Sequence, residues 1–435
     1  MKYTIGGLCD FLRGAVSSFH AVREMTDILD DAGFTRLQEG RRWEIVPGNR
    51  YYFTRNQSSL IAFSLPQRGF APVCAVASHS DSPVFRIKQN AEVEIQGKYL
   101  LLNAERYGGM IMSTWMDRPL SAAGRVLVRS SRGLEARLVN IDCDALLIPS
   151  LAIHMNREVN ENNRLNAQTD MLPLLGDAGA KGRFAQMVAE AAGTEPEQIA
   201  GSDLYLYNRM PPRVWGRDGE YISAPRLDDL ECAYTALCAF TEAKPGAHIN
   251  CFCCFDNEEV GSGTRQGADS TLFYDALRRI AAALGAGEDD FHAALASSFM
   301  VSADNAHAMH PHHPEKYDQT NRVFMNEGVV IKFSANQKYT TDGVSCAVFA
   351  DVCRRAGVPV QYFANRSDMV GGSTLGNISG AHVSIPTVDI GLAQLAMHSS
   401  YETAGSCDAQ YMVQALTACY EAELCAPADG VYDIG

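Results

Sequence analysis

Two adjacent carboxylates, Glu258 and Glu259, follow the apolar run Ile249 to Phe255 and lead into Gly261 and Ser262. The run is short, uncharged and rich in aromatic and apolar residues, as a strand buried on both faces of a parallel sheet would be. Ligands bind beyond the carboxyl ends of such strands. Neighbouring residues in extended chain point to opposite sides, so the two glutamates cannot share a task unless the backbone turns between them. One would hold a cation and the other would move a proton. A lone Glu-Glu pair is commonly just a solvated turn, so the residues that accompany it must decide.

Four further groups stand where apolar runs end or helices begin: His79 with Asp81, Asp228 with Asp229, Asp304 with His307, and His398. Each has an ordinary alternative, since a histidine can be satisfied by backbone and an aspartate can cap a helix. Taken together they offer the carboxylate oxygens and imidazole nitrogens that zinc takes at about 2.0–2.2 Å. Two histidines and three carboxylates suit a pair of zinc ions with one carboxylate shared. Two ions about 3.5–4 Å apart can activate a water and polarise the carbonyl it attacks. That chemistry needs a further, unligated carboxylate to take the proton, and Glu258 beside Glu259 supplies it. A nucleophilic serine is the rival chemistry, but no Gly-x-Ser-x-Gly elbow precedes a helix. The string GGSTLG (Gly371 to Gly376) lacks the Lys-Ser/Thr ending of a phosphate loop.

The elements that must position these groups alternate along the chain. The first 35 residues carry a helical stripe of Leu8, Phe11, Leu12, Val16, Phe19, Val22, Met25 and Leu29, closed by Gly33. Residues 51 to 64 alternate loosely, and Pro72 to Ala77 predicts a short buried strand ending at His79. From about 85 to 150 the texture is of strands without long helices, VFRIKQNAEVEIQ, KYLLLNAE, GRVLVRS and LEARLVNI. A polar stretch and a helix near Phe184 to Ala192 follow, and Pro211-Pro212 closes the segment. From Ala224, α/β alternation returns: helices over 227–242, 270–284, 343–356 and 407–424, and strands at 249, 299, 358 and 383. The expected fold is α/β, a mixed, largely parallel sheet sandwiched by helices. It is expected to be discontinuous, residues 1–85 and 224–435, with an inserted β-rich domain over 86–223. Insertions leave from loops; this one leaves just after Asp81 and so lies beside the site.

The chain of 435 residues is 46% apolar and 20% charged, an ordinary soluble composition. A formal net charge of −14 argues against nucleic acid and anionic membranes as partners. No apolar stretch nears the roughly 18 residues of a membrane span, and no signal-like start is evident, so a cytoplasmic location is expected. Its 13 scattered cysteines suit buried, reduced thiols, and no pair of Cys-x-x-Cys knuckles supports a zinc ribbon.

The strings ASHSDSP (Ala77 to Pro83), APRLDDL (Ala224 to Leu230), FDNEEVGS (Phe255 to Ser262), VSADNAHAMHP (Val301 to Pro311), GGSTLG and TVDIGLAQLAMHS (Thr387 to Ser399) resemble, in order, the aspartyl aminopeptidase family of dinuclear zinc metallopeptidases, bacterial-type members included. SSFHAV near residue 17 and IPSLAIHMNR near residue 148 extend the resemblance over nearly the whole chain. It implies that His79 and Asp304 bind one zinc, Glu259 and His398 the other, and that Asp228 bridges both. Glu258 then corresponds to the general base and acid, and Asp81 to the carboxylate that fixes a ligand imidazole. His307, Lys332 and Tyr339 match substrate-contacting positions. His154 matches a residue that the family brings into a neighbouring subunit's site, which makes the insertion an assembly domain and a tetrahedral dodecamer the expected homo-oligomer. Asp229 stands where relatives often carry Asn, and Tyr401 where many carry Arg.

The implied activity is metal-dependent removal of N-terminal residues from peptides, with two divalent ions per subunit, Zn2+ foremost and Co2+ or Mn2+ as substitutes. A cationic Lys332 would favour N-terminal Asp or Glu. Alternation in VVIKFS puts Lys332 with Val330 and Ser334, a face that could equally be the solvated side of a strand, and Tyr339 could equally be packing. The rivals are a deacylase or dipeptidase on the same metals, and a non-catalytic assembly or cargo protein. The latter would be expected to have lost a ligand or Glu258, and none is missing.

Overall fold

Ile249–Phe255 forms a strand with every residue buried, parallel to Val73–His79 on one side and antiparallel to Ser59–Ser64 on the other. It is an inner strand of a nine-stranded sheet in the computed structural model, which describes residues 2–369, 371, 372, 374–428 and 430–435. The strand order is Thr35–Arg36, Arg50–Arg55, Ser59–Ser64, Ile249–Phe255, Val73–His79, Phe299–Ala303, Thr387–Gly391, Val329–Phe333 and Val360–Ala364. Five of the eight neighbour pairings are parallel, so the sheet is mixed and largely parallel.

Two apolar layers cover it. Helices Ile5–Gly14, Ser18–Asp31, Leu227–Glu242, Gly343–Ala356 and Asp408–Glu421 pack on one face around Phe252, Val301 and Val388. Leu272–Ala283 and Glu288–Ala296 pack on the other around Cys251, Phe255 and Met300. Alternate residues of one strand thus feed opposite cores, which is why 249–255 reads as an unbroken apolar run. Phe252→Ala would open a cavity beneath two helices and is expected to cost about 3–5 kcal/mol; a denaturant midpoint near that of wild type would contradict this packing.

A second, six-stranded antiparallel sheet is built wholly from residues between 84 and 208, in the order Gly133–Asn140, Leu120–Ser130, Ile199–Asn208, Val84–Ile95, Tyr99–Tyr107 and Leu174–Asp177. It has its own core around Phe85, Trp115 and Val126, covered by helix Arg183–Ala192. Strands Arg213–Trp215 and Tyr221–Ala224 join Glu402–Gly405, Ala393–Leu395 and Ala306–His307 in a five-stranded sheet. Through it, the segment that follows the six-stranded sheet pairs with strands that flank Asp304 and His398.

Some elements depart from the sequence reading. The N-terminal stripe is two helices, because Ser17 interrupts it and caps the second by accepting from the His20 N–H. Helix Glu288–Ala296 and the hairpin of Leu424–Ala428 with Val431–Ile434 carry no strong periodic signal and were not expected. The GGSTLG string includes Ser373, which lies outside the described residues; Leu375–Ser379 within and beyond it is one short helix.

Candidate metal centre

The parallel strands end in register. His79 pairs with Phe255, Ser302 lies beside Ala77 and Asp389, and the chain beyond each strand delivers a candidate group to the same edge. Beyond Phe255 the backbone turns at once. Asn257, Gly261 and Ser262 take left-handed φ of 65°, 92° and 59°, and Glu258–Val260 forms a single 3-10 turn. The Asn257 side chain locks this turn, accepting from the Thr264 hydroxyl at 2.8 Å and Gln266 Nε2 at 2.9 Å. Glu258 and Glu259 therefore both face the site, from different angles.

Asp81 fixes that turn and the first histidine together. Its carboxylate accepts the N–H groups of Glu258 (3.1 Å) and Glu259 (3.2 Å) and the Tyr107 hydroxyl (2.7 Å), while Oδ1 lies 3.4 Å from His79 Nδ1. The Asp81 carbonyl, 3.0 Å from the same nitrogen, is its hydrogen-bond acceptor. His79 Nε2 is thereby left facing the Asp228 and Asp304 carboxylates at 3.6 and 3.9 Å.

Asp228 and Asp229 sit at the mouth of helix Leu227–Glu242 with non-helical backbone, joined by a cis peptide bond. Asp228 divides its oxygens: Oδ1 faces His79, and Oδ2 lies 3.3 Å from His398 Nε2. His398 Nε2 is also 3.5 Å from Glu259. His398 has a left-handed φ of 67°, a conformation that persists in a non-glycine residue only when its surroundings fix it. Here its N–H donates to Glu402 at 2.7 Å and its carbonyl accepts from Ile111 at 3.0 Å.

Three groups of ligand atoms lie within 4.8 Å of one another: His79, Asp228, Asp229 and Asp304; Asp228, Glu259 and His398; and His79, Glu258 and Glu259. Every residue expected to hold metal is in this set. Asp229, paired with Asp228 in the sequence reading but given no ligand role, also belongs; it accepts the His79 N–H at 3.0 Å.

The charge balance calls for a cation. Burial, and then the Asp228 charge, hold Glu259 well above the usual carboxylate range. Burial likewise raises Asp229 and Asp304, and lifts Glu258 to about 8. Burial works against charging His79 and His398, yet the surrounding carboxylates raise both, His398 to about 9. Asp228 is also opposed by burial, but His398 and His79 draw it below its ordinary value. Among the described residues, Asp228 Oδ1 and Glu259 Oε1 are buried without a hydrogen-bond partner. Unpaired buried carboxylate oxygens are costly, and bound cations would satisfy both. The residues therefore fit divalent metal.

The candidate substrate residues separate. Lys332 is only 2% exposed, not solvated, because Val329–Phe333 is an inner strand of the main sheet. Its ammonium donates to the Asp304 carbonyl at 2.8 Å, stands 3.4 Å from the Asp304 carboxylate, and lies 5.2 Å from the centre of the Tyr339 ring. Burial opposes this charge, but Asp304 raises Lys332 above the ordinary lysine value. His307 opens to solvent two residues beyond Asn305, with its ring 6.2 Å from that of Phe363. His154 is exposed in the turns that follow the insertion's strands, and no described contact brings it to the cluster of its own chain.

Sequence reasoning missed two supports. Glu402 is buried and accepts the N–H groups of both Asp228 (3.1 Å) and His398 (2.7 Å), with burial raising it to about 8. A charged residue opening the short strand Glu402–Gly405, four positions after His398, was the available signal. Tyr107, from the insertion, links Asp81 to Asn257 at 2.7 and 2.8 Å. The next residue, Gly108, has φ +77°, and a Cβ there would lie 3.1 Å from Glu259 Cβ, so the approach of the insertion to the site requires glycine.

A helix-covered mixed sheet with an anionic, histidine-bearing cluster at its strand ends defines a metal-dependent hydrolase. The chain belongs to the M18 family, described as aminopeptidase I zinc metalloproteases, whose model matches residues 11–420. It is 45% identical to the "Probable M18 family aminopeptidase 2" of Clostridium acetobutylicum, over 93% of this chain and 95% of that one. The like-named protein of Pseudomonas entomophila is 39% identical over 95% of this chain and 97% of its own. Among solved structures, the chain matches that in "Cryo-EM structure of the Ape4 and Nbr1 complex" with a TM-score of 0.93 and 34% identity, covering 96% of this chain and 85% of that one. It matches "Structure of S. cerevesiae mApe1 dodecamer" with a TM-score of 0.84 and 26% identity, each chain covered to 95%. The chain is thus a metal-dependent aminopeptidase, as the sequence strings implied. No helix among the described residues is long and apolar enough to cross a membrane.

Proposed function

We propose that this aminopeptidase works through two zinc ions bridged by Asp228, with His79 and Asp304 on one ion, Glu259 and His398 on the other, and Glu258 as general base and acid. The observation that carries the reading is the division of the Asp228 carboxylate, with one oxygen towards His79 and the other towards His398. Bound zinc would supply Lewis acidity to the scissile carbonyl and to an attacking water. The remaining steps belong to side chains. Glu258, held up near 8 by burial, is poised to take the water's proton and return it to the leaving amine. Bound cations would draw its pKa down towards the working range of a base. Asp81 holds the turn and His79 in place, and Glu402 holds Asp228 and His398 by their backbones. The acidic cluster favours a cationic α-amino terminus over a blocked one.

Lys332, with Tyr339 behind it and His307 at the opening, is the proposed determinant of N-terminal Asp or Glu. Lys332→Met is expected to lower kcat/KM for acidic N-termini at least about tenfold more than for Leu or Ala, since it removes the charge of a buried ion pair. An equal loss across all substrates would instead assign Lys332 to supporting Asp304.

The insertion, residues 86–223, is proposed as an assembly domain of a homo-oligomer, with a dodecamer as its form. Leu151, Ile153 and Met155, exposed by 61%, 49% and 75%, flank His154 and give that segment an apolar surface suited to burial against a second copy. The twelve cysteines described are free thiols, which fits the cytoplasm. Aminoacyl-anilides, dipeptides and N-acetyl amino acids assayed side by side test the reaction. Hydrolysis of the free-amine substrates is expected, and activity confined to N-blocked compounds would contradict it.

A further inference from the structure

Strand Tyr99–Tyr107 pairs along one side with Val84–Ile95, but on the other side Leu174–Asp177 covers only Tyr99 to Leu101, and Leu102 donates to the Pro173 carbonyl. Among the described residues, Asn103 to Tyr107 has no strand on that outer edge. The edge faces the loop 164–168 across an open cavity of about 650 Å³. Lys88, Arg106 and Arg164 line this cavity, and among the described residues none of the three makes an ion pair or side-chain hydrogen bond. Glu105 is the single carboxylate on its wall, which leaves a positive surface in a chain of net charge −14.

The strand that walls the cavity runs on towards the candidate metal centre. Arg106 precedes Tyr107, whose hydroxyl donates to Asp81, and Gly108, which lies against Glu259. Two residues of extended strand span about 7 Å, so Arg106 stands roughly two peptide residues from the cluster. We propose that this open edge and its three cations take the leaving portion of the peptide substrate, with main-chain pairing along Asn103 to Tyr107 and selection of an acidic side chain at the third or fourth residue. A free strand edge pairs readily with an extended peptide. The cations add selectivity by charge. The inference rests on the aminopeptidase reading and adds a second specificity site to it, on the side opposite Lys332.

The test is a panel of C-terminally amidated pentapeptides sharing one N-terminal residue, with Asp, Ala or Lys at position three or four, beside the anilide of that N-terminal residue. For wild type, kcat/KM is expected to be about 1.5-fold to fivefold higher for Asp than for Ala, the range of solvent-exposed ion pairs. The ratio should shrink as salt is raised. Arg106→Gln with Arg164→Gln, and Arg106→Glu alone, each remove the excess of positive charge on the wall and should bring the ratio near one. Anilide and peptide hydrolysis with a wild-type ratio of one would overturn this inference alone. Absence of both hydrolyses would overturn the aminopeptidase reading and this inference with it. An Arg106→Glu protein with changed oligomer mass and an unaltered ratio would assign the cavity to a second copy of the chain, and so overturn the peptide track.

Discussion

Glu258→Gln is expected to keep its full complement of zinc while kcat falls by about 10²- to 10⁴-fold, the usual contribution of a general base. Glutamine preserves the shape of the side chain and hydrogen bonding at its carbonyl oxygen, but it cannot take a proton. The turn that carries residue 258 is held by the Asp81 carboxylate and the Asn257 side chain, neither of which the substitution touches. Folding and metal content should therefore survive. Zinc content by mass spectrometry and kcat on a favoured anilide decide the matter together. Loss of zinc in step with loss of activity would move Glu258 from the proton to the metal.

Asp228→Ala should have the opposite signature. Both oxygens of that carboxylate face a histidine of a different ligand group, so one substitution weakens two sites at once. Removing a group that merely orients a ligand commonly costs about 10- to 100-fold in metal affinity, and loss of a shared ligand is expected to exceed that at both positions. The protein should then be inactive at zinc concentrations that saturate wild type. Far-UV circular dichroism would separate this from unfolding. Retention of one tight zinc would show that Asp228 serves a single site.

Much of the scaffold was legible because burial writes itself into the chain. The inner strands at 73, 249 and 299 are largely apolar and buried throughout, and each ends at or just before a polar group. What periodicity could not give was the neighbour relation. That Ile249–Phe255 pairs parallel with one strand and antiparallel with another follows from tertiary topology, not from its own residues. The break at Ser17 was masked because the apolar stripe continues across it, although the serine cap was there to be read.

The proposed ligand residues were legible as polar groups at or beyond the ends of strands, and the resemblance of the ordered strings implied their roles. Less legible was Lys332. Strand alternation offered a solvated face, whereas the strand lies inside the sheet and the ammonium reaches back to Asp304. A buried lysine cannot be told from an exposed one by spacing alone. Glu402 and Tyr107 escaped for a related reason. Their work is done through backbone N–H groups and a neighbouring carboxylate, partners remote in sequence that only folding brings together.

The central claim, two zinc ions sharing Asp228, is most directly tested by calorimetric titration of the metal-free wild-type chain with zinc. Two equivalents bound per chain, with activity restored fully only after the second, is the predicted result. Saturation and full activity at one equivalent would contradict it.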